Sequence, residues 1–302
     1  MGIVCAATPR VEVRPLNYRM QNMTQSPQKT WFITGVSSGF GQALAHALLE
    51  GGQRVVGTLR NETARAAFDQ LKPGYSFGRL LDVTDYEAID GVVADIERSV
   101  GAIDVLVNNA GYGHEGLVEE SSLDELRQQF EVNVFGAVAV TKAVLPFMRK
   151  RRSGNILNVT SMGGIATFPG LGYYHGSKFA LEGISEALGK EVKPFGIFVT
   201  AIEPGAFRTD WAGRSMVRAP RSIADYNELF DVIRETRAKN SGQQIGDPAK
   251  AAAAMIAVVD SATPPAHLLL GSDAVRVVTA KLDLHLAEIQ QWEALSLSTD
   301  FN

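Results

Sequence analysis

The chain has 302 residues, 45% hydrophobic and 21% charged, with mean hydropathy near zero, the balance of an ordinary globular protein of one large or two small domains. A formal net charge of -4 leaves no basic excess to attract nucleic acid or an anionic membrane. One cysteine, Cys5, excludes an internal disulfide and any cysteine-based metal cluster, and it suits a reducing, cytoplasmic setting.

The opening MGIVCAATPR lacks the apolar core of a secretion signal and the Ser or Thr at the sixth position that myristoylation needs. Residues 1–28 are polar, without pattern, and contain Met20 and Met23; they are expected to be a loose extension before a folded domain at 29–302. From Lys29 short apolar runs alternate with segments of helical spacing. WFITG, RVVGTL, YSFGRLLDV, IDVLVNNAG, GNILNVTS, FGIFVTAIEPG and HLLLG read as seven strands. QALAHALLEGG, ETARAAFDQL, DYEAIDGVVADIERSVG, SLDELRQQFEVNVFGAVAVTKAVLPFMRK and YHGSKFALEGISEALGKEV read as helices between them. The alternation predicts one doubly wound α/β domain of the Rossmann type, a mostly parallel sheet with helices on both faces.

The first strand ends in TGVSSGFG, Thr34 to Gly41. Its GVSSG fits G-x-S-x-G, the elbow that exposes a nucleophilic serine, here Ser37. The same residues place Gly35, Gly39 and Gly41 in a strand-to-helix turn, where free amide donors and the helix dipole suit a dinucleotide phosphate. The hydrolase elbow normally follows several strands and an oxyanion loop; only a patternless segment precedes this one. The cradle is therefore the favoured reading, and a serine hydrolase the remote one.

A second constellation lies in YYHGSK. Tyr174 and Lys178 are four apart and share a helical face, whereas Tyr173 points elsewhere. An ammonium beside a phenol, whose ordinary pKa is about 10, would lower it toward a usable acid and base. Ser161 stands thirteen residues upstream, at the end of the GNILNVTS strand, where the next helix returns Tyr174 to the same sheet edge. Its neighbour Thr160 offers a second hydroxyl, and Gly163-Gly164 would keep the following loop close and adaptable.

With these residues in hand, the chain resembles the short-chain dehydrogenase/reductase family from about Lys29 to Gly271, in its hydroxysteroid and retinol dehydrogenase branch. TGVSSGFG matches the family's T-G-x-x-x-G-x-G, and Asn108-Asn109-Ala110-Gly111 its N-N-A-G. Asn133, Ser161, Tyr174 and Lys178 match its catalytic set, and Pro204-Gly205 with Thr209 the turn after the sixth strand. The resemblance implies that Tyr174 exchanges a proton with the substrate oxygen and that Ser161 hydrogen-bonds that oxygen. Lys178 would lower the phenol and hold the nicotinamide ribose, and Asn133 would anchor a water that passes protons to Lys178. It also implies cofactor contacts from Gly35, Ser37, Ser38, Gly39, Phe40 and Gly41. Further contacts are implied for Asp82, Val83, Asn109, Ala110, Gly111, Pro204, Gly205 and Thr209. No metal is implied.

The second strand ends in GTLRN, with Leu59 where an acid would bind both ribose hydroxyls and Arg60 after it. A guanidinium there suits a 2′-phosphate, and Ser38 can add a hydroxyl, so NADP(H) is expected over NAD(H). The stretch 206–246, rich in Arg, Ser, Asp and Asn, is expected to be irregular and to cover the substrate. Its Trp211, Met216, Phe230 and Ile233 either line a pocket for a lipophilic ketone or alcohol or pack the segment down, with Arg214, Arg218 and Arg221 in solvent. A nucleotide-binding sensor of the same fold, without turnover, is the other class of function; an epimerase fits the glycine spacing poorly. The family suggests a homodimer or homotetramer through helices 122–150 and 173–190. No membrane span is expected, since the longest apolar run, AAAAMIAVV at 251–259, is under half of the about 20 residues required. His46, His114, His175, His267 and His285 show no paired spacing and read as surface or packing residues.

Overall fold

A computed structural model describes residues 27–213 and 215–301. The expected extension at 1–28 therefore lies, apart from Pro27 and Gln28, outside the described residues, as do Cys5 and Arg214. Seven strands form one parallel sheet: β1 (Thr30–Ile33), β2 (Arg54–Leu59), β3 (Ser76–Leu80), β4 (Val105–Asn108), β6 (Gly154–Val159), β7 (Ile197–Pro204) and β9 (His267–Leu270). Their spatial order is β3-β2-β1-β4-β6-β7-β9, so the winding reverses between β1 and β4. In such a sheet ligands bind beyond the carboxyl ends of the strands at that reversal.

Helices cover both faces: α1 (Gly39–Glu50), α2 (Glu62–Asp69), α3 (Tyr86–Ser99), α4 (Leu123–Phe130), α5 (Ala137–Arg151), α6 (Gly172–Val192), α7 (Asn227–Lys239), α8 (Pro248–Asp260) and α9 (Ser272–Leu297). Successive strand residues point to opposite faces and feed two cores. Trp31, Ile33, Val55 and Leu157 pack with Leu44 and Leu48 of α1 and Met255 of α8. Phe32, Val56, Leu106 and Ile156 pack with Val93 of α3 and Val144 and Met148 of α5. Both sheet faces are thereby withdrawn from water, which explains why the strands read as unbroken apolar runs.

Four features depart from the sequence reading. The expected single helix at 122–150 contains a π-helical stretch, Glu131–Gly136, between α4 and α5. The segment 206–246 is not irregular: it holds the short strand β8 (Met216–Arg218), paired in parallel with β5 (Gly113–Glu115) outside the main sheet, and the helix α7. The chain also ends in the long helix α9, and α8 forms the apolar run at 251–259. Finally, Leu123–Arg151 is long and apolar enough to cross a membrane by length and composition alone, with a mean hydropathy of 1.4 over its most apolar window. Its Val140, Val144 and Met148 are fully buried in the core.

Candidate active site

The glycine turn between β1 and α1 is braced from beneath. The Thr34 hydroxyl accepts from the amides of Asn109 and Ala110 at 3.0 Å each, and Asn109 Nδ2 donates to the carbonyls of Thr34 and Gly35 at 3.0 and 2.8 Å. Gly35 and Gly39 take positive φ of 72° and 59°, open to glycine at no steric cost. A Cβ on Gly41 would lie 2.2 Å from the Gly35 oxygen, so no side chain fits there. Ser38 caps α1 without spending its hydroxyl on the helix, and no acid sits in the first turn. Free amide donors, a free hydroxyl and the positive end of the dipole fit a phosphate group.

Of the remaining expected cofactor residues, Ser37, Phe40 and Thr209 lie at this turn and the others lie at or after the ends of neighbouring strands. Phe40 meets Phe207 edge-on at 5.1 Å between ring centres, and the Thr209 Cβ lies 3.6 Å from a Cβ built on Gly39. Arg60 is exposed beyond the buried Leu59. Asp82 accepts from Thr84 N and Oγ1 at 3.0 and 2.8 Å. Burial raises the Asp82 carboxyl, but the Thr84 bonds and the Arg60 charge outweigh it and leave the group below its usual range. Val83 is buried, its side chain packed toward Gly136. Pro204 ends β7, and Gly205 donates to Leu270 O at 2.8 Å. Ser37 is exposed in the turn. The histidines a hydrolase would need are engaged elsewhere or stand in solvent.

Across the sheet edge, Ser161 leaves β6 while α6 carries Tyr174 and Lys178. Ser161 Oγ accepts from Gly163 N at 2.9 Å and hydrogen-bonds the Tyr174 phenol. Lys178 Nζ donates to Val159 O at 2.8 Å and sits 5.8 Å from the Tyr174 ring centre. The buried Asn133, in the π-helical stretch, donates to Tyr112 O at 3.0 Å and Ser177 Oγ at 3.1 Å, and accepts from Tyr112 N at 3.1 Å. Gly111 lies between them: a Cβ built on it would be 3.0 Å from Asn133 Oδ1 and 3.8 Å from Lys178 Nζ. The four residues expected from sequence therefore share one site with the end of NNAG.

The expected lowering of the phenol is not what the site does. Burial pushes Tyr174 up to about 12, against the opposing Ser161 bond, and burial pushes Lys178 down to about 8, against the Glu182 charge. Desolvation outweighs the Ser161 bond because Tyr174 is packed under Trp211, at 5.1 Å between ring centres, with Leu171 and Met216. Lys178 is meanwhile held by the Val159 carbonyl. Thr160 is not an alternative to Ser161, since its buried hydroxyl donates to Ile202 O at 2.8 Å.

Sequence reasoning passed over three groups. His175 is buried, with Nδ1 on Gly163 O at 2.7 Å and Nε2 accepting from Phe168 N at 2.8 Å, so it ties the loop after Ser161 to α6. A Cβ on Gly163 would approach His175 Nδ1 to 2.9 Å, so this loop is tightly packed rather than adaptable. Glu115, 1% exposed, faces Arg237 at 2.8 Å, Arg234 at 3.1 Å and Arg218 at 3.4 Å. Arg221 pairs with Glu120 at 2.8 Å, and Phe230 is 1% exposed. Arg221, Arg234 and Arg237 thus dock the segment on acids, while Arg208 and Arg218 stay exposed and Trp211 and Met216 roof Tyr174. Beside them a cavity of roughly 440 Å³ is lined by Leu117, Val118, Phe168, Pro169 and Tyr226. The third group, Glu182, Glu203 and His267, has no local spacing that could have revealed it.

The short chain dehydrogenase family profile matches residues 29–217. The chain is 39% identical over 272 residues to the oxidoreductase BOA17 of Botryotinia fuckeliana, covering 90% of this chain and 99% of that one. It is 38% identical over 255 residues to the 3-ketodihydrosphingosine reductase of Bacteroides thetaiotaomicron, covering 82% and 90%. It is 36% identical over 228 residues to the NADPH-dependent 3-dehydrocapnine reductase of Ornithobacterium rhinotracheale, covering 73% and 80%. Among solved structures, a short-chain dehydrogenase from Streptomyces avermitilis superposes with a TM-score of 0.84 at 43% identity, over 91% of this chain and 100% of that one.

Proposed function

The chain belongs to the short-chain dehydrogenase family and is an oxidoreductase; on that premise we propose that it interconverts a lipophilic carbonyl compound and its alcohol with NADP(H), using Tyr174 as proton donor and acceptor. The observation that carries the proposal is the meeting of Ser161, Tyr174, Lys178 and Asn133 at the sheet edge that also bears the glycine turn. When bound, the cofactor supplies or accepts the hydride. The amides after Ser38 would hold its phosphates and Arg60 its 2′-phosphate, with Pro204, Gly205 and Thr209 as the further residues that would contact it.

Tyr174, pushed up to about 12, keeps its proton at neutral pH, which is the form carbonyl reduction consumes. Ser161 holds the substrate oxygen where charge develops. Lys178 carries positive charge beside both, and Asn133 fixes the NNAG turn against α6 through Tyr112 and Ser177. Trp211 and Met216 exclude water from the phenol. Relatives named for 3-ketodihydrosphingosine and for NADPH support the lipophilic ketone and the phosphorylated cofactor. So does the apolar cavity beside the roof. Exposed Phe135, Phe179 and Ile184 on the helices expected at an interface support a homodimer or homotetramer, which light scattering of the purified chain tests.

The primary experiment is a parallel fluorescence titration with NADPH and NADH. Tighter NADPH binding, lost by at least about tenfold in Arg60→Ala while NADH binding hardly changes, is the expected result. Equal losses for both would remove the role given to Arg60. Tyr174→Phe should keep NADPH binding and lower turnover of long-chain ketones by about 10²–10⁴.

A further inference from the structure

We infer that Glu182, Glu203 and His267 form a binding site for one divalent metal ion of the zinc or manganese type, a site that does not depend on the redox activity proposed above. Glu182 lies on α6 one turn after Lys178, Glu203 stands on β7 just before Pro204, and His267 opens β9. The three are far apart in sequence and are brought together by the β7–β9 pairing and by α6 packing on β7. One donor atom from each lies within 4.8 Å of the others. His267 Nδ1 is 2.8 Å from Glu203 Oε1 and 3.3 Å from Glu182 Oε2, so all three point at a common centre.

A second observation separates this cluster from a surface group of acids. Glu182 is 7% exposed, and both of its carboxylate oxygens are buried without a hydrogen-bond partner. The Thr160 hydroxyl lies beside Glu182 and steadies its carboxylate, while its shortest bond runs to Ile202 O at 2.8 Å. Lys178, one turn earlier on the same helix, donates to Val159 O and feels the Glu182 charge without bonding its carboxylate. Two buried carboxylates share one imidazole, and without a further cation one of them is neutralised by holding a proton. A divalent ion offsets both and gives the Glu182 oxygens the ligand they lack.

The donor set limits the ion. Two carboxylates and one imidazole suit zinc or manganese; without a thiolate the site does not suit copper(I), and with a nitrogen and only two acidic side chains it is a poor cage for calcium. His267 is 43% exposed, which leaves access for the ion and room for water in the open coordination positions. Bound there, the ion would cross-link the helix carrying Tyr174 and Lys178 to the strand ending in Pro204-Gly205.

The test is calorimetric titration of the chelator-treated full chain with ZnCl2 and with MnCl2, with MgCl2 as a control. One equivalent of zinc or manganese should bind, at least about tenfold more weakly in Glu182→Gln and in His267→Ala. Binding should be unchanged in Cys5→Ser and in the exposed-histidine double variant His46→Ala/His285→Ala. Glu182→Gln removes a buried charge and keeps its shape, so without metal it should melt no lower than the parent, and loss of binding cannot then be ascribed to unfolding. No saturable binding overturns the inference. So does binding that survives Glu182→Gln or vanishes with Cys5 or the exposed histidines. NADPH titration of the same samples reads the redox proposal separately.

Discussion

The two sides of the candidate site are built by different forces. The cofactor side is a backbone frame: Thr34, Asn109 and Gly35 lock two loops through short neutral hydrogen bonds over the apolar core. The side that roofs Tyr174 is a cap, residues 206–246, fastened by ion pairs. Arg237 and Arg234 reach the buried Glu115, and Arg221 reaches Glu120 and Asp231. Its buried apolar anchors are Phe207, Met216, Ala219 and Phe230. A frame of this kind resists salt and pH, whereas a cap held by charge is sensitive to both.

The largest expected effect breaks the cap alone. Glu115→Ala removes the carboxylate on which three arginines converge, and stripping one partner from a buried pair costs about 3–5 kcal/mol. Limited proteolysis should then cut within 219–246 many times faster, while NADPH binding to the frame persists. If the frame loosens equally, the two regions are one cooperative unit.

Gly41→Ala is the converse test. Its Cβ would meet the Gly35 oxygen at 2.2 Å, and relieving such an overlap costs about 1–3 kcal/mol. NADPH binding should weaken sharply and the cap should keep its protection from proteolysis.

The third prediction concerns the seam between the regions. Burial pushes Lys178 down to about 8, so its positive charge is lost as pH rises through that value. Turnover should fall about tenfold per unit above pH 8, although the phenol, at about 12, still holds its proton. Lys178→Arg, permanently charged, should lose that limb. The stability contribution runs the other way. Between pH 8 and 10.5 the unfolded lysine binds the proton and the folded one does not, so the fold gains stability with rising pH in that window.

The same contrast explains what was legible in the sequence. The glycine turn, NNAG and the Tyr174-Lys178 spacing are local patterns, and the structure brings them together with Ser161 and Asn133. The seven strands were legible because each is an unbroken apolar run. The cap was not: Arg237 and Glu115 are 122 residues apart, and nothing local says which acid an arginine will meet. Its helix α7 buries only Phe230, too little apolar periodicity to stand out in a polar stretch. The height of the Tyr174 pKa also escaped, because the charge of Lys178 is visible in sequence and the roof of Trp211 is not.

The smallest expected effect is the sharpest probe of the division. Arg221 also pairs with Asp231, which is 47% exposed, and an exposed pair of this kind is worth under about 1 kcal/mol. Asp231→Asn should therefore hardly change the melting temperature. Its effect should be local: faster amide exchange along the first turns of α7, with none in β1 or the turn at 34–41. Raising NaCl from 0.15 M to 1 M shortens the screening length from about 8 Å to about 3 Å and should reproduce the same pattern in the parent protein. In the variant the added salt should then do less, because one of the pairs it weakens is already gone. Equal salt sensitivity of the turn at 34–41 would mean that the frame too leans on charge, and that Arg60 and Asp82 hold more of it than the backbone bonds do.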